Sequence, residues 1–204
     1  MTTVDPVVLP QSVGPDSNFR NRLIDGLAEA VKAEGLRDTT IADIVRRART
    51  SRRTFYEHFS SKEECYVALM RRESERIGTA IASAVDPQAG WDVQVAQAIE
   101  AWVVSQATEP ELMLSWIRET SALGEQARLL EREMLDGMVL VVQTIVDTEN
   151  LRSLGITRPT RQVATILLGG LSELIASTFE DGQPVESIVQ VSIEASRALL
   201  ALHI

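Results

Sequence analysis

The most constraining part of the sequence is residues 39–62, which read TTIADIVRRARTSRRTFYEHFSSK. Its first half repeats apolar residues at the spacing of one helix face, and these are Ile41, Ile44, Val45 and Ala48. A tight turn at Arg49-Thr50 follows. Ser51 is placed to cap a second short helix, which closes on the aromatic residue Phe59. Two short amphipathic helices joined in this way predict a helix-turn-helix.

The rest of the chain also has helical periodicity. A first helix is predicted from about Asn18 to Ala33, ending at Gly35, and Thr39 or Asp38 is expected to cap the second. Further helices are predicted over 51–59, from Ser60 or Ser61 to about Val85, over Trp91–Ala107, from Pro110 onward, and over Glu125–Thr148, Pro159–Glu180 and Pro184–Leu202. No alternation of period two is long enough for a strand, so the predicted fold class is all-α.

Charge is distributed unevenly along the chain, whose formal net charge is −9. Residues 1–60 carry nine Lys and Arg against eight Asp and Glu, whereas residues 61–204 carry eleven against twenty-one. Five arginines fall within eight positions of the predicted helix-turn-helix, and they are Arg46, Arg47, Arg49, Arg52 and Arg53. Because an acidic surface repels polyanions, any contact with DNA has to be local to this basic segment.

The third predicted helix divides into two faces. Phe55 and Phe59, four residues apart, are expected to pack inward on the first two helices. The residues that then point outward are Arg52, Arg53, Thr54, Tyr56 and His58. Arginine bonds bidentately to guanine, and hydroxyl groups anchor phosphates. The alternative to DNA binding is that this face is only a solvated basic surface on a structural helix. The position of the third helix in a helix-turn-helix favours DNA binding.

The run TIADIVRRARTSRRTFYEHFSSKEECYVAL closely resembles the DNA-binding segment of TetR-type transcriptional regulators. That family's motif ends in Thr-Phe-Tyr-x-His-Phe-x-Ser-Lys-Glu-Glu. The resemblance is detailed over residues 19–70, and beyond them the helix count and order agree. It implies a three-helix DNA-binding domain at 18–62 and a helical ligand-binding and dimerisation domain at 63–204. Residues 1–17 have three prolines and no long apolar run, which predicts a flexible arm.

The resemblance also implies roles for individual residues. Phosphate contacts are implied for Thr39 or Thr40, Tyr56, His58 and Lys62, and base-edge contacts for Arg52, Arg53 and Thr54. The sequence departs from the family at the turn, which commonly reads Ala-Gly-Val-Ser and here reads Ala48-Arg49-Thr50-Ser51. A left-handed conformation at Arg49 would cost about 1 kcal/mol, which a phosphate contact by its side chain would offset.

The helices after residue 90 hold large, adaptable apolar side chains among small ones. The candidate ligand-binding residues are Trp102, Met113, Trp116, Glu119, Met134, Met138 and Phe179. Glu119 lies within a turn of Trp116 and is expected to bring a polar group into the same cavity, as small-molecule sites require. Core packing is the alternative for each of these residues taken singly, and the resemblance implies that a pocket exists in this part of the chain.

The last two helical tracts carry broad apolar stripes that suit a dimer interface. On the first tract the stripe is Val163, Ile166, Leu167, Gly170, Leu171 and Leu174, and on the second it is Ile188, Val191, Ala195 and Leu199. Glycine inside a helix costs about 1 kcal/mol, which is tolerable where another helix approaches closely. Packing within one chain is the alternative, but the resemblance implies dimerisation through such a pair of helices.

Other classes of protein find little support. Cys65 is the only cysteine and is expected to be a buried packing residue, and with two histidines no metal site or cofactor is expected. GxSxG, GxGxxG, Walker A and HExxH motifs are absent, so no enzyme activity is expected. The N-terminus resembles neither a signal peptide nor a membrane span, which predicts a cytoplasmic protein.

The sequence therefore predicts a homodimeric transcriptional regulator, most simply a repressor that binds a palindromic operator. A small, mainly apolar effector is expected to release it from DNA. The second hypothesis is a helical small-molecule-binding protein that reads no specific DNA sequence.

Overall fold

The computed structural model describes residues 15–120, 124–146 and 158–201. These residues form nine α-helices and no strand, which confirms the all-α prediction for the described part of the chain. The helices are α1 Pro15–Asp38, α2 Ile41–Arg47, α3 Arg52–His58, α4 Lys62–Ala84, α5 Trp91–Ala107, α6 Pro110–Glu119, α7 Glu125–Val146, α8 Arg161–Glu180 and α9 Val189–Ala201. A short 3-10 turn, Val185–Ile188, precedes α9. Residues 1–14 of the predicted arm lie outside the described residues. Residues 15–17, also assigned to the arm, form the start of α1 instead, so the first helix begins earlier than the predicted Asn18.

Several helix ends follow from local signals and are confirmed. The Ser51 hydroxyl accepts a hydrogen bond from the Thr54 amide at the start of α3, and the Ser61 hydroxyl accepts one from the Glu64 amide at the start of α4. Pro110 occupies the first turn of α6, where its missing N–H removes no helical hydrogen bond.

Of two predicted boundaries at the first corner, one is confirmed and one is wrong. Gly35, whose φ is 76° and ψ is 161°, interrupts the helix where the stop is predicted, and one further turn carries α1 to Asp38. The cap of α2 is Thr40 rather than Thr39 or Asp38. Thr39 is 2% exposed and its hydroxyl donates to the Gly35 carbonyl at 2.7 Å, so it closes the end of α1 instead.

One apolar cluster joins the N-terminal helices to the rest of the chain. Phe55 and Phe59 are buried in it against α1 and α2, as predicted, and Cys65 is also buried there. Leu112 from α6 and Leu130 from α7 belong to the same cluster. The packing is therefore continuous across the proposed domain boundary at residue 62, and α6 and α7 share an apolar core with the helix-turn-helix.

The approach of α2 to α1 depends on Gly26. A Cβ atom at this position would lie 2.7 Å from the Ile44 carbonyl oxygen and 2.9 Å from the Ala48 amide nitrogen. Both atoms belong to the backbone of α2 and its cap, so a side-chain rotation cannot relieve the clash. Gly26 thus sets how closely the helix-turn-helix lies on α1.

Gly26→Ala should destabilise the protein by about 1–3 kcal/mol, because the added methyl group overpacks this contact. The expected loss is about 2–4 °C in melting temperature per kcal/mol, measured by circular dichroism at constant protein concentration. Gly78→Ala on α4 is the matched control, since no atom lies within 4 Å of the place its new methyl group would take, and it should raise stability slightly. A Gly26→Ala protein that melts at or above the wild-type temperature would contradict the close approach.

Candidate nucleic-acid interface and ligand cavity

The outer face of α3 is basic and open to solvent. Arg52 and Arg53 are exposed, and Tyr56 exposes 59% of its surface one turn later. On the opposite face Phe55 is fully buried, and its ring meets that of Tyr56 edge to face at 5.6 Å between centroids. The buried phenylalanine therefore fixes the rotation of α3, and this rotation turns the two arginines outward.

The five arginines of this segment differ in their present partners. Arg46 pairs with Asp43 at 2.9 Å, Arg47 with Glu34 at 2.9 Å, and Arg53 with Glu57 at 3.1 Å. Arg49 and Arg52 form no ion pair with the described residues. Since exposed ion pairs contribute only about 0–1 kcal/mol, a phosphate or a guanine can replace the carboxylate at Arg53 at little cost.

The turn between α2 and α3 places Arg49 in the left-handed conformation, which is unfavourable for residues other than glycine. Arg49 has φ 49°, and it is the only residue other than glycine with positive φ in the described ranges. Arg22 of α1 stabilises the turn, because its guanidinium donates to the carbonyls of Ala48 and Arg49, the latter at 2.7 Å. Arg49 therefore has the left-handed conformation that the replacement of glycine made costly, and hydrogen bonds from Arg22 of α1 stabilise it.

The predicted phosphate-binding residues occupy different environments. The Thr40 hydroxyl is exposed and forms a capping box with Asp43, whose pKa is lowered by these hydrogen bonds. Thr39 is buried, as described above. The Lys62 ammonium group donates to the carbonyls of Leu36 and Thr39, each at 2.7 Å, and so neutralises the end of α1. His58 is half-buried at the end of α3. Their contacts with DNA stay a prediction.

A cavity of about 200 Å³ lies between α4, α5, α6, α7 and α8. Five of the candidate ligand-binding residues line it, namely Trp102, Met113, Trp116, Met134 and Met138. Trp102 is only 6% exposed, and Trp116 stacks on Tyr66 of α4 at 6.5 Å between ring centroids. Burial raises the pKa of the Tyr66 phenol to about 12, so this hydroxyl stays neutral beside Ser115 at 3.2 Å.

Two candidate ligand-binding residues lie outside the cavity. Phe179 packs in the apolar cluster of α5, α8 and α9. Glu119, at the end of α6, turns away towards α1, where its carboxylate accepts hydrogen bonds from the amides of Leu36 at 3.1 Å and Arg37 at 3.4 Å. The interpretation of both as lining residues is wrong, because the helix crossing points them elsewhere.

The helix α6 is held at both sides by charged groups. Glu119 contacts the kinked end of α1, and the neighbouring Arg118 pairs with Glu173 and Glu180 of α8, each at 2.7 Å. Hydrogen bonds from Arg118 lower the pKa of both carboxyl groups, so these pairs persist into mildly acidic solution. Trp116 therefore lies on a helix that connects the cavity wall to the end of α1 and to α8.

The apolar stripes of α8 and α9 each split between core and surface. Leu167, Leu171 and Ile188 are buried inside the protomer at 3%, 4% and 7% exposure, so they cannot form a surface interface as predicted. Ile166 and Val191 remain 63% and 49% exposed. The rest of this outer face consists of exposed Gly170 and Ala195 with half-buried Val163, Leu174 and Leu199.

Residues 23–69 match the sequence profile of the bacterial regulatory proteins of the tetR family. This segment carries the sequence signature of that family. Proteins with this signature are regulators of transcription rather than enzymes, and residues 40–59 of this chain form the helix-turn-helix. No curated protein sequence matches the chain.

Solved structures of other regulators share the fold over most of its length. The fatty acid degradation regulator FadR from Bacillus halodurans is 15% identical, with a TM-score of 0.76, and the match covers 91% of this chain and 96% of that one. FadR from Bacillus subtilis, in complex with stearoyl-CoA, is 18% identical, with a TM-score of 0.75 and coverage of 86% and 96%. A tetR-family regulator from Streptomyces coelicolor is 15% identical, with a TM-score of 0.75 and coverage of 94% and 83%.

Some residues that shape the two candidate sites have no signal in the sequence. Arg22 supports the turn from 27 residues away, and Glu119 reaches the end of α1 across 83 residues. The polar cavity residues are likewise unpredicted, and they include Glu73, Arg76, Gln106 and Glu131. A helical periodicity identifies a buried face but not the neighbouring helix, so these contacts emerge only in the folded chain.

Proposed function

We propose that the protein is a homodimeric transcriptional repressor whose α3 helices read the two halves of a palindromic operator. The observation that carries this proposal is the exposed basic face of α3, which presents Arg52 and Arg53 from a helix-turn-helix in an otherwise acidic chain. An α-helix fits the major groove, where arginine distinguishes guanine from the other bases. A regulator that binds the chromosome in this way acts in the cytoplasm.

Dimerisation is supported by the outer face of α8. An 18-residue window of this helix has a mean hydropathy of 1.3, enough by length and composition for a membrane span, yet only 39% of the window is buried in the protomer. Ile166 on α8 and Val191 on α9 remain largely exposed on adjacent helices. A second copy packed on these helices through a two-fold axis would cover both faces at once.

An effector site is supported by the cavity beneath Trp102 and Trp116. Its volume of about 200 Å³ exceeds that of an engineered 150 Å³ cavity that binds benzene, so it suits a small, mainly apolar molecule. The Bacillus subtilis relative holds stearoyl-CoA in the same fold. At 18% identity that likeness concerns the fold, and the effector of this protein has to be inferred from its own cavity.

A route from the cavity to DNA is supported by the contacts of α6. A ligand that displaces Trp116 would move α6, and with it the Glu119 carboxylate that holds the amides of Leu36 and Arg37. It would also disturb Tyr66 on α4, whose first residue, Lys62, holds the carbonyls at the same end of α1. We infer that the effector changes the position of the helix-turn-helix through these two contacts, and so lowers operator affinity.

The test is selection of DNA by the purified full-length protein from a pool of random duplexes. We expect enrichment of a palindrome whose half-sites are separated by about one helical turn, 10–10.5 bp, or a multiple of it, bound by two chains. Small apolar compounds should release the enriched duplex. If no sequence is enriched over the starting pool while small molecules still bind, the second hypothesis, a ligand-binding protein without sequence-specific DNA reading, replaces this one.

A further inference from the structure

The polar residues of the cavity carry an excess of negative charge. Its wall contains three carboxylates, Glu73, Glu109 and Glu131, and one guanidinium, that of Arg76. Arg76 is already engaged, since it donates to Glu73 at 2.8 Å and to the Ser105 carbonyl at 3.2 Å. Excess negative charge on the wall of a cavity favours a cationic occupant.

Only one of the three carboxylates lacks a cationic partner within the described part of the chain. Glu73 is paired with Arg76, and Glu109 is paired with Lys32 at 3.0 Å. Glu131, half-buried on α7, forms no ion pair with any residue in the described ranges. A neutral ligand that filled the cavity would withdraw this carboxylate from water without compensation, which is costly. A cation would compensate it.

The buried amide of Gln106 is a second, independent indication of a ligand. Gln106 is 6% exposed and lines the cavity, yet its side chain forms no hydrogen bond to another described residue. Gln94, buried to a similar degree on the same helix, donates to the carbonyls of Pro87 and Ala89. The amide atoms of Gln106 are not themselves sealed off, and what remains accessible of this residue opens on the cavity, so the amide is available for a polar group of the ligand.

The apolar wall also suits a cation. The π faces of indoles attract ammonium groups, and Trp102 and Trp116 are both present in the lining. The thioethers of Met113, Met134 and Met138 are polarizable and adapt to a ligand of irregular shape. An anion would instead meet three carboxylates and a guanidinium that is already bonded.

We propose that the cavity takes a small organic cation, an ammonium group that carries an N–H and an aromatic or branched alkyl body. The body lies among the indoles and methionines, the charge is compensated by Glu131, and the N–H donates to the Gln106 carbonyl oxygen. This assignment rests on the proposed function only in taking the cavity as the effector site.

The test measures quenching of tryptophan fluorescence in the full-length protein without DNA. The probes are benzyldimethylammonium, its neutral carbon analogue isobutylbenzene, and the anion 3-phenylpropanoate. We expect the cation to bind at least tenfold more tightly than either of the others. Glu131→Gln should weaken cation binding about tenfold, and Gln106→Leu should weaken it several-fold, with little change for isobutylbenzene.

Glu111→Gln is the matched control, because Glu111 is exposed on α6, outside the cavity wall, and its loss changes the net charge equally. The inference is overturned if isobutylbenzene or 3-phenylpropanoate binds wild type as tightly as the cation, or if Glu131→Gln and Glu111→Gln have equal effects. A second assay adds the cation to the protein bound to its selected duplex. Binding of the cation without release of DNA would count against the proposed induction and leave the ligand class standing.

Discussion

Replacing Arg52 with alanine should abolish most site-specific DNA binding without changing the fold. Each bidentate contact with a guanine contributes about 1–3 kcal/mol of discrimination, and a two-fold dimer loses the contact twice. The expected loss of affinity for the selected duplex is therefore about 30-fold or more, whereas affinity for random DNA should fall far less. Fluorescence anisotropy with both duplexes at one salt concentration measures the two effects.

Arg53→Ala should have a similar but smaller effect. The Arg53 side chain is bonded to Glu57 at 3.1 Å in the free protein, so DNA binding replaces an existing interaction at this position. Arg52 has no such pair among the described residues, and its contact with a base replaces only water. An Arg52→Ala loss smaller than that of Arg53→Ala would reverse this assignment.

The control for both variants is Arg128→Ala, which removes the same charge from an exposed position on α7. It should leave specific binding unchanged. All three proteins should melt within a degree or two of wild type, because these side chains are exposed and surface substitutions change stability by about 0.5 kcal/mol or less. Wild-type affinity in both Arg52→Ala and Arg53→Ala would mean that α3 does not read the bases.

The sequence predicts those parts of the fold that depend on neighbouring residues in the chain. The bounds of α5, Trp91–Ala107, and the proline start of α6 are as predicted, because caps and helical periodicity act within a turn or two. The rotation of α3 is also local, since Phe55 and Phe59 are the only large apolar residues that it can bury.

The errors occur where a distant residue decides the outcome. The end of α1 extends beyond Gly35 to Asp38, where Glu119 binds its amides and Lys62 binds its carbonyls from other helices. These contacts satisfy backbone groups that a helix end otherwise leaves to water. No pattern within residues 30–40 indicates these contacts, so the sequence predicts the break at Gly35 but not the further turn that follows it.

The ligand cavity was only half predictable for the same reason. Five of the six large apolar candidates line the cavity, and the sequence can single out Trp102 and Trp116 because tryptophan is rare in this chain. Charged residues such as Glu131 are common on helix surfaces, and only the crossing of α4, α6 and α7 turns this one towards the cavity. The charge of the cavity, and hence its preferred ligand, therefore had to come from the structure.

Gly170→Leu should dissociate the dimer while leaving each protomer folded. No atom of the protomer lies within 4 Å of a Cβ placed on Gly170, so the new side chain has room in the monomer and improves helix propensity. In a dimer that packs on this face the leucine would separate the two α8 helices. Overpacking costs about 1–3 kcal/mol, and the two-fold axis applies the cost twice.

The dissociation constant of the dimer should therefore rise by about 30-fold or more, and sedimentation equilibrium at micromolar concentration measures it. Gly137→Leu on α7 is the matched control, because this glycine is also exposed in mid-helix with no atom near its Cβ position. Its dimer should be unaffected.

Operator affinity should fall together with dimerisation in Gly170→Leu, since a single helix-turn-helix contacts only half of a palindrome. Binding to random DNA depends on phosphate contacts that the helix-turn-helix of each protomer makes separately, so it should be affected much less. This pattern distinguishes loss of the dimer from loss of the reading helix, because Arg52→Ala lowers operator affinity with sedimentation unchanged. A Gly170→Leu protein that dimerises as tightly as wild type would place the interface on another face, and a monomeric wild type would remove the dimer altogether.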